Sequence, residues 1–352
     1  MTIADIDLGT TTICGLLLDA ETGRIVSVVT EPNTAAVRGR PDEALQDPDA
    51  IVAIAERIVG GFLEAGADLR GIGIAAQMHG ILYVDRDGRA IGPLATWQDG
   101  RGDRRGPGGE SHAERVSRAV GGTLATGMGF VTHAVNVAER AVPDGAAALC
   151  TIADYVAMRL CGTTRPVMDT TMAASVGCFD LERLDFRRDV MDRLGIDQAL
   201  FPDVARDYPA VGAVRGVPVF VGMGDNQASF LGAVRSVEGS LVVSVGTSSQ
   251  ISAFTPSCVV IDGVDTRPFP LGGYIVVGAG LCGGRAYSLL RDFFTRTVRL
   301  FGGAGPVPNT GSVSGAGPES GAGSVPNAGP VPWETMNAVD ESTLRETERV
   351  VV

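Results

Sequence analysis

The apolar pattern of the chain changes near residue 49, and this change constrains the fold more than any other feature. Before it, apolar runs at residues 3–8, 13–18 and 25–29 are separated by turns that contain glycine, which predicts an antiparallel meander of strands. After it, apolar residues recur at helical spacing over residues 51–62, and Pro48 suits the first turn of a helix. Strands followed by a crossover helix predict an α/β fold.

Later segments continue this pattern of alternating elements. The apolar runs predict further strands at residues 71–76, 81–84 and 217–221, helices at residues 146–160 and 226–234, and a loop at residues 100–109.

Length and charge limit the function classes. A chain of 352 residues is long enough for two domains. Its formal charge of -12 and its lack of lysine argue against nucleic acid or an anionic membrane as a partner, because both are bound mainly by cationic side chains. A small polar ligand is the expected partner, and the sequence does not predict an oligomeric state. No apolar run is long enough to span a membrane, and six cysteines without a CxxC pair predict reduced thiols in the cytoplasm.

The composition changes again after Phe301. Residues 302–332 are mostly glycine, proline and serine, which predicts disorder because so few apolar side chains cannot offset the entropy of ordering. The charged residues 341–349 predict at most a marginal helix.

Two similar turns contain glycine followed by hydroxyl residues. Gly9, Thr10 and Thr11 follow the first strand, and Gly246, Thr247 and Ser248 follow an apolar run at residues 241–245. A backbone that bends through glycine can direct successive N–H groups at a phosphate, and the neighbouring hydroxyls add donors. The repeated strand, turn and strand also suggest two related sheets. Chance similarity of two common structural turns is the alternative.

Asp7 precedes the first of these turns. Its carboxylate can hold Mg²⁺ directly or through water, since hard cations prefer oxygen ligands. The alternative is a capping acid at a strand end.

Asp225 lies between the glycine-spaced turn Gly222 to Gly224 and an apolar run that begins at Asn226. If a helix begins at Asn226, Asp225 is its N-cap, and the helix dipole keeps the carboxylate ionised. The same position at the carboxyl end of a strand lets a ligand approach the backbone closely, so that Asp225 can accept the proton of an attacking hydroxyl. The two roles are compatible.

Two further polar groups follow predicted strands. Gln77, Met78 and His79 come directly after the strand at residues 71–76, where His79 is either a structural residue or a hydrogen-bonding partner for sugar hydroxyls. Residues 96–101, with the sequence TWQDGR, suit carbohydrate contact, although Asp99 and Arg101 can equally form a loop ion pair of little consequence.

A G-x-G-x-x-G pattern at Gly278, Gly280 and Gly283 suggests a dinucleotide-binding oxidoreductase. The acid expected about 20 residues later on a second strand is missing, because the chain has by then entered the region rich in glycine and proline. The chain also has no P-loop motif.

Seven collinear stretches resemble the FGGY carbohydrate kinases, and they extend from residue 3 to about residue 294. They are IDLGTTT, GIAAQMHGILYVD, TWQDGR, IADYVAMRLCG, FVGMGDNQASFLGAV, VVSVGTSSQIS and GAGLCGGRAYSLLRDFF. The resemblance implies an actin-like ATPase (RNase H-like) fold, with ATP and Mg²⁺ as cofactors. It also implies phosphorylation of a ketose, with sedoheptulose as the expected substrate.

The resemblance also implies roles for individual residues. Asp225 matches the family's catalytic base, while Asn226, Met78 and His79 match sugar-contacting positions, and Gln77 lies beside them. The positions that match the two phosphate motifs are Asp7, Gly9 and Thr10 for the first motif and Gly246 and Thr247 for the second.

The resemblance ends near Phe294, whereas family members continue through most of a second domain. It therefore implies a complete sugar-binding domain at residues 1–236, the start of a nucleotide-binding domain at residues 237–297, and a disordered tail at residues 298–352. We expect weak or absent ATP binding from such a chain, and poor stability or oligomerisation of the incomplete domain. A sugar-binding remnant without catalysis is the alternative function.

Overall fold

The computed structural model describes residues 1–65, 68–106, 108–245, 249–270, 272–280 and 284–301. The predicted disorder of residues 302–332 and the predicted helix at residues 341–349 lie outside these ranges. The last described helix ends at Phe301, and the predicted start of the tail at residue 298 stays a prediction.

Helices and strands alternate along the described chain. The helices are α1 (Pro48–Glu64), α2 (His112–Val120), α3 (Gly129–Ala138), α4 (Ile152–Cys161), α5 (Thr170–Val176), α6 (Arg188–Leu194), α7 (Asp225–Ala233) and α8 (Gly284–Phe301), with 3₁₀ turns at Arg101–Asp103 and Gln198–Leu200. The strands are β1 (Thr2–Leu8), β2 (Thr12–Asp19), β3 (Arg24–Pro32), β4 (Ala36–Val37), β5 (Leu45–Gln46), β6 (Leu69–Ala76), β7 (Leu82–Val84), β8 (Leu94–Ala95), β9 (Ala148–Cys150), β10 (Met168–Asp169), β11 (Phe179–Asp180), β12 (Asp185–Phe186), β13 (Val204–Ala205), β14 (Ala210–Val214), β15 (Val217–Phe220), β16 (Met223–Gly224), β17 (Leu241–Val245), β18 (Ser249–Thr255), β19 (Asp265–Pro268) and β20 (Tyr274–Gly280).

A mixed sheet of seven strands forms the centre of the fold. Six of its strands lie in the order β14-β15-β6-β1-β2-β3, and β16 pairs with β6 beside that path. The predicted meander is confirmed, because β1, β2 and β3 are antiparallel neighbours. The strands β6 and β1 are parallel, and so are β16 and β6. Three parallel strands therefore end at the same edge of the sheet, where loops can build a site.

Helix α1 packs on this sheet through its predicted apolar face. Asp47 caps its N-terminus by accepting hydrogen bonds from backbone N–H groups of the first turn, and Pro48 begins the helix as predicted. A Cβ atom at Gly15 would lie 2.3 Å from Cγ2 of Ile58, so the helix lies directly on the backbone of β2. Each large apolar side chain that this face buries contributes about 1.5–3 kcal/mol to stability.

The helix predicted over residues 146–160 is wrong at its start. Residues 148–150 form β9, which pairs antiparallel with β7, and α4 begins only at Ile152. The helix begins there because the Asp154 carboxylate accepts hydrogen bonds from the backbone N–H group and the hydroxyl of Thr151, at 2.8 Å and 2.7 Å. Apolar spacing alone does not distinguish a short buried strand from the first turn of a helix.

The chain divides into two compact units. The first comprises residues 1–242 and 252–277, and the described residues of the second are 243–245, 249–251, 278–280 and 284–301. This grouping follows spatial proximity, and the domain boundary after residue 236 stays a prediction.

Asp154 supports a prediction about stability. Its side chain is fully buried, and burial raises its pKa to about 8, although the hydrogen bonds from Thr151 lower it. The folded chain therefore binds a proton at Asp154 where the unfolded chain does not. We expect this group to lower the free energy of unfolding as the pH rises from the ordinary aspartate pKa of 3.8 to about 8. The slope is at most about 1.4 kcal/mol per pH unit.

Urea unfolding of Asp154→Asn between these two pH values measures this contribution. The variant should lose part of the slope, whereas Asp87→Asn, which changes a side chain 71% exposed in a turn, should keep it. Equal slopes for Asp154→Asn and the unchanged chain would contradict the protonated carboxyl.

Candidate active site

Three predicted site segments meet at one edge of the central sheet. Leu8 of β1 pairs with Ala76 of β6, and Ala76 pairs with Gly224 of β16. Gly9, Gln77 and Asp225 are the next residues along the chain, so the structure brings together segments separated by up to about 215 residues. The sequence placed each segment at a strand end, and the parallel register makes the three ends neighbours.

Asp225 is the first residue of α7 rather than its N-cap. Gly224 is the N-cap, because its backbone is extended whereas that of Asp225 is helical, and Gly224 provides no capping side chain. The predicted capping role of Asp225 is therefore wrong, although its place in the first turn still puts the carboxylate near the positive end of the helix dipole.

The surroundings of Asp225 suit a group that gains and loses a proton. Solvent reaches the side chain, but the protein atoms around it limit its hydration and raise its pKa to about 6. The backbone N–H group of Asn226 lowers the pKa, the charge of Asp7 raises it, and the charge of Arg267 lowers it. The carboxylate is thus mostly ionised at neutral pH and more basic than an ordinary aspartate.

The turn after β1 combines a fixed hydroxyl with open backbone groups. The Thr10 hydroxyl donates to Oε1 of Gln77 at 3.0 Å and accepts from Nε1 of Trp97 at 3.0 Å. Within the described chain, no group accepts a hydrogen bond from the backbone N–H groups of Gly9, Thr10 or Thr11. The hydroxyl of Thr10 therefore holds the turn in place, while the backbone amides are the donors available to a phosphate.

The buried side chains of Gln46 and Gln77 also support the turn after β1. Nε2 of the buried Gln46 donates to the backbone carbonyl of Thr10 at 3.0 Å, and Nε2 of Gln77 donates to Oε1 of Gln46 at 2.9 Å. Gln77 is itself 4% exposed. Its position thus explains why an amide follows β6, since it links two site segments inside the protein.

Asp7 is exposed at the end of β1, and limited hydration raises its pKa. No group of three or more His, Cys, Asp or Glu side chains in the described ranges could hold a metal ion by itself. Mg²⁺ usually takes one or two carboxylates together with water and substrate phosphates, so Asp7 beside the open amides of Gly9 and Thr10 has suitable chemistry for it.

His79 has a left-handed backbone with φ of 72°, which is rare for residues other than glycine. Its backbone N–H group donates to Oγ of Ser175 at 3.1 Å, and its Nδ1 atom lies 2.8 Å from the carbonyl oxygen of Ser175. A carbonyl can only accept, so Nδ1 carries the proton, and Nε2 is the ring atom that can accept a hydrogen bond when the ring is neutral. Burial lowers the pKa of His79, which favours that neutral form.

Met78 and Asn226 are both buried beside these groups. Met78 is 5% exposed, and a Cβ atom at Gly224 would lie 2.8 Å from its sulfur, so the Met78 side chain packs closely on the backbone at Gly224. Asn226 accepts a hydrogen bond from Nη1 of Arg267 at 3.3 Å. Arg267 is a site residue that sequence reasoning missed, because it lies on β19 outside every recognised motif.

The TWQDGR segment, residues 96–101, was expected to contact carbohydrate or to form a loop ion pair, and the structure shows a buried ion pair and a tryptophan beside the site. Asp99 is fully buried and binds Arg101 through both carboxylate oxygens, at 2.7 Å and 3.0 Å, so this ion pair is internal rather than a loop feature of little consequence. Arg101 also donates to Oδ1 of Asn136 at 2.8 Å. Trp97, which is 48% exposed and bonded to Thr10, is the side chain of this segment that lies beside the site.

The second predicted phosphate turn lies outside the described residues, and the G-x-G-x-x-G pattern does not have the structure of a dinucleotide site. Gly246, Thr247 and Ser248, the second predicted phosphate turn, are not among the described residues, and neither is Gly283. Gly278 and Gly280 lie on β20, which pairs antiparallel with β19, whereas a dinucleotide fingerprint belongs to a parallel βαβ unit.

None of the described helices is both long and apolar enough to cross a membrane.

Solved structures of sugar kinases share this fold. The crystal structure of gluconate kinase from Lactobacillus acidophilus superposes with a TM-score of 0.70 at 22% identity, covering 83% of this chain and 62% of that one. Xylulose kinase from Rhodospirillum rubrum superposes with a TM-score of 0.72 at 20% identity, covering 86% of this chain and 64% of that one. The predicted α/β actin-like fold is confirmed.

Sequence relatives cover a similar part of the chain. Sedoheptulokinase of Mus musculus is 30% identical over 287 residues, which are 71% of this chain and 58% of that protein. Xylulose kinase of Streptomyces rubiginosus is 29% identical over 274 residues, covering 72% of this chain and 54% of that protein. The chain therefore spans a little over half the length of these relatives.

A family comparison agrees with the geometry of the site. The sequence model of the FGGY family of carbohydrate kinases, N-terminal domain, matches residues 2–232, which include β1, β6 and Asp225. The chain belongs to the FGGY family of carbohydrate kinases.

Proposed function

We propose that the chain phosphorylates a ketose with ATP, and that Asp225 is the catalytic base. The hydroxyl oxygen of the sugar attacks the γ-phosphorus and forms a new O–P bond, Asp225 accepts the hydroxyl proton, and the bond to the β-phosphate oxygen breaks to release ADP. The observation that carries this proposal is the alignment of Leu8, Ala76 and Gly224, because it puts an ionised Asp225 beside the open amides after β1. Such a reaction depends mainly on positioning and on charge stabilisation.

Other residues of the edge have supporting roles in this proposal. Nε2 of His79 and the side chain of Asn226 contact sugar hydroxyls, and the buried Gln77 and Met78 lie beside them. Gly9, Thr10 and Thr11 bind phosphate through their backbone amides, and Gly246, Thr247 and Ser248 are the second phosphate-binding segment. Asp7 would hold Mg²⁺, which would neutralise phosphate charge when bound.

Sedoheptulose is the substrate that we propose, with xylulose as the main competitor. The resemblance to a sedoheptulokinase supports the first sugar, and the xylulose kinases among the relatives support the second. A coupled assay of ADP release with sedoheptulose, xylulose, gluconate and glycerol tests both. We expect the highest kcat/KM with sedoheptulose, and turnover of none of these compounds would contradict the kinase proposal.

Sugar binding without catalysis is the second candidate function. The match of residues 2–232 to the N-terminal domain of the family favours it, since that range contains the candidate sugar contacts His79 and Asn226. Titration calorimetry separates the two functions: binding of a ketose with no binding of ATP supports the second. A cytoplasmic location also stays a prediction.

The pKa of Asp225 predicts the pH dependence of the reaction. A base acts only in its ionised form, and the pKa of Asp225 is raised to about 6. We therefore expect kcat/KM for the ketose to be constant above that value and to fall about tenfold per pH unit well below it. Rates measured from pH 4.5 to pH 8.5 at constant ionic strength give this profile. A kcat/KM that stays constant down to pH 4.5 would show that the limited hydration of Asp225 does not affect the reaction.

A further inference from the structure

Helix α5 contacts two of the segments that form the candidate active site. Thr171 and Ser175 are four residues apart, so they lie on the same face of this helix. Thr171 binds the turn that leads to Asp225, and Ser175 binds His79. Neither residue belongs to a strand-end segment that the sequence analysis assigned to the site.

The contact with the Asp225 turn is short and fully buried. The backbone N–H group of Gly224 donates to Oγ1 of Thr171 at 2.8 Å. The Thr171 hydroxyl in turn donates to Oδ1 of Asp169 at 3.0 Å, and Tyr208 donates to Oδ2 of Asp169 at 3.0 Å. The direction of each hydrogen bond in this series is therefore determined. The series ends at Gly224, the residue that immediately precedes Asp225.

The contact with His79 holds an unfavourable backbone conformation. A non-glycine residue with positive φ persists only where neighbouring groups compensate for its cost, which is on the order of 1–3 kcal/mol. Ser175 binds His79 twice, through its Oγ atom and through its carbonyl oxygen. The second of these contacts also selects the tautomer of the imidazole ring.

We propose that α5 is a positioning helix, on which Thr171 sets the place of the catalytic base and Ser175 sets the place of the sugar-binding histidine. The inference rests on the proposed kinase function. It assigns the two residues different effects, because Thr171 acts on the group that reacts and Ser175 acts on a group that binds. A purely structural helix would lower the apparent kcat through the amount of folded protein and would leave KM unchanged.

The experiment compares Thr171→Val, Thr171→Ser and Ser175→Ala. Valine has nearly the shape of threonine but leaves the buried N–H group of Gly224 without an acceptor, so the turn shifts, and we expect kcat to fall about 10- to 100-fold with little change in KM. Serine keeps the hydroxyl and should restore most of kcat. Ser175→Ala should raise KM for the ketose several-fold, by roughly 3- to 10-fold, and leave kcat within about twofold.

Thr151→Val is the matched control. Thr151 is also fully buried, and its hydroxyl also donates to an aspartate at the start of a helix, at 2.7 Å from Asp154, but it lies outside the site. Thermal unfolding should show a similar loss of stability for Thr151→Val and Thr171→Val. Equal kcat for Thr171→Val and Thr151→Val, compared at equal amounts of folded protein, would overturn the proposal.

Hydrogen exchange separates this inference from the kinase function. The Gly224 amide should exchange at least about tenfold faster in Thr171→Val than in the unchanged chain, because its acceptor is lost. If the unchanged chain turns over no ketose, the proposed function fails, and this exchange rate together with calorimetric ketose binding by Ser175→Ala still decides the positioning role. Unchanged exchange at Gly224 and unchanged ketose affinity would then overturn the role of α5.

Discussion

Asp225→Asn is expected to reduce ketose phosphorylation by about 10²- to 10⁴-fold, because the amide cannot accept the hydroxyl proton. The substitution keeps the size of the side chain and its place in the first turn of α7. Binding should be retained, since Asn226 and His79 are unchanged. The measurements are kcat from ADP release and the ketose Kd from calorimetry.

Asp189→Asn is the matched control for this prediction. Asp189 also lies in the first turn of a helix, α6, and its side chain is 64% exposed, so the control removes the same charge from a helix start away from the site. It should change kcat less than about twofold, since a helix-dipole interaction contributes only about 0.3–1 kcal/mol to stability. Full activity of Asp225→Asn would show that Asp225 is not the base, and loss of both activity and ketose binding would point to a binding role.

Gly127→Ala is expected to destabilise the protein by about 3 kcal/mol or more. A Cβ atom at Gly127 would lie 1.8 Å from the carbonyl oxygen of Trp97, and a backbone atom cannot move aside as the end of a flexible side chain can. The backbone at Trp97 must therefore shift. Because Nε1 of Trp97 donates to Thr10, we also expect weaker phosphate binding by the turn after β1. Urea unfolding measures the first effect, and KM for ATP measures the second.

Gly122→Ala is the control for the clash. No atom lies within 4 Å of a Cβ atom built at Gly122, and its φ is not in the left-handed region. Its free energy of unfolding should stay within about 1 kcal/mol of that of the unchanged chain, because alanine mainly reduces the freedom of the unfolded state. Similar unfolding curves for Gly127→Ala and Gly122→Ala would mean that the backbone at Trp97 moves at little cost.

Much of the fold could be predicted because its patterns are local. The meander β1 to β3 and helix α1 follow from apolar spacing and turn residues, and the strands before Gln77 and Asp225 were located within a few residues. The prediction was wrong at β9 and at the first residue of α7. At β9 a short buried strand has the same apolar spacing as the first turn of a helix. At α7 the error is one residue between the capping position and the first helical position, which sequence patterns resolve poorly.

The site could be predicted only in part. Asp7 lies at the end of β1, and Gly9, Gln77, His79 and Asp225 come after strands, which made all five visible as residues at strand ends. Thr171 and Ser175 lie on a short helix without any such signal, although an aspartate followed by hydroxyl residues at a helix start is a sequence feature that could have identified the helix.

The sequence by itself determined which residues face the core and which polar groups follow each strand, because side-chain direction repeats every two residues in a strand and every 3.6 in a helix. Only the tertiary structure decided that Thr171 accepts from Gly224, 53 residues away, and that Arg267 reaches Asn226, 41 residues away. Such contacts depend on how separate elements pack together and on the order of the strands in the sheet. No local period of the sequence carries that information.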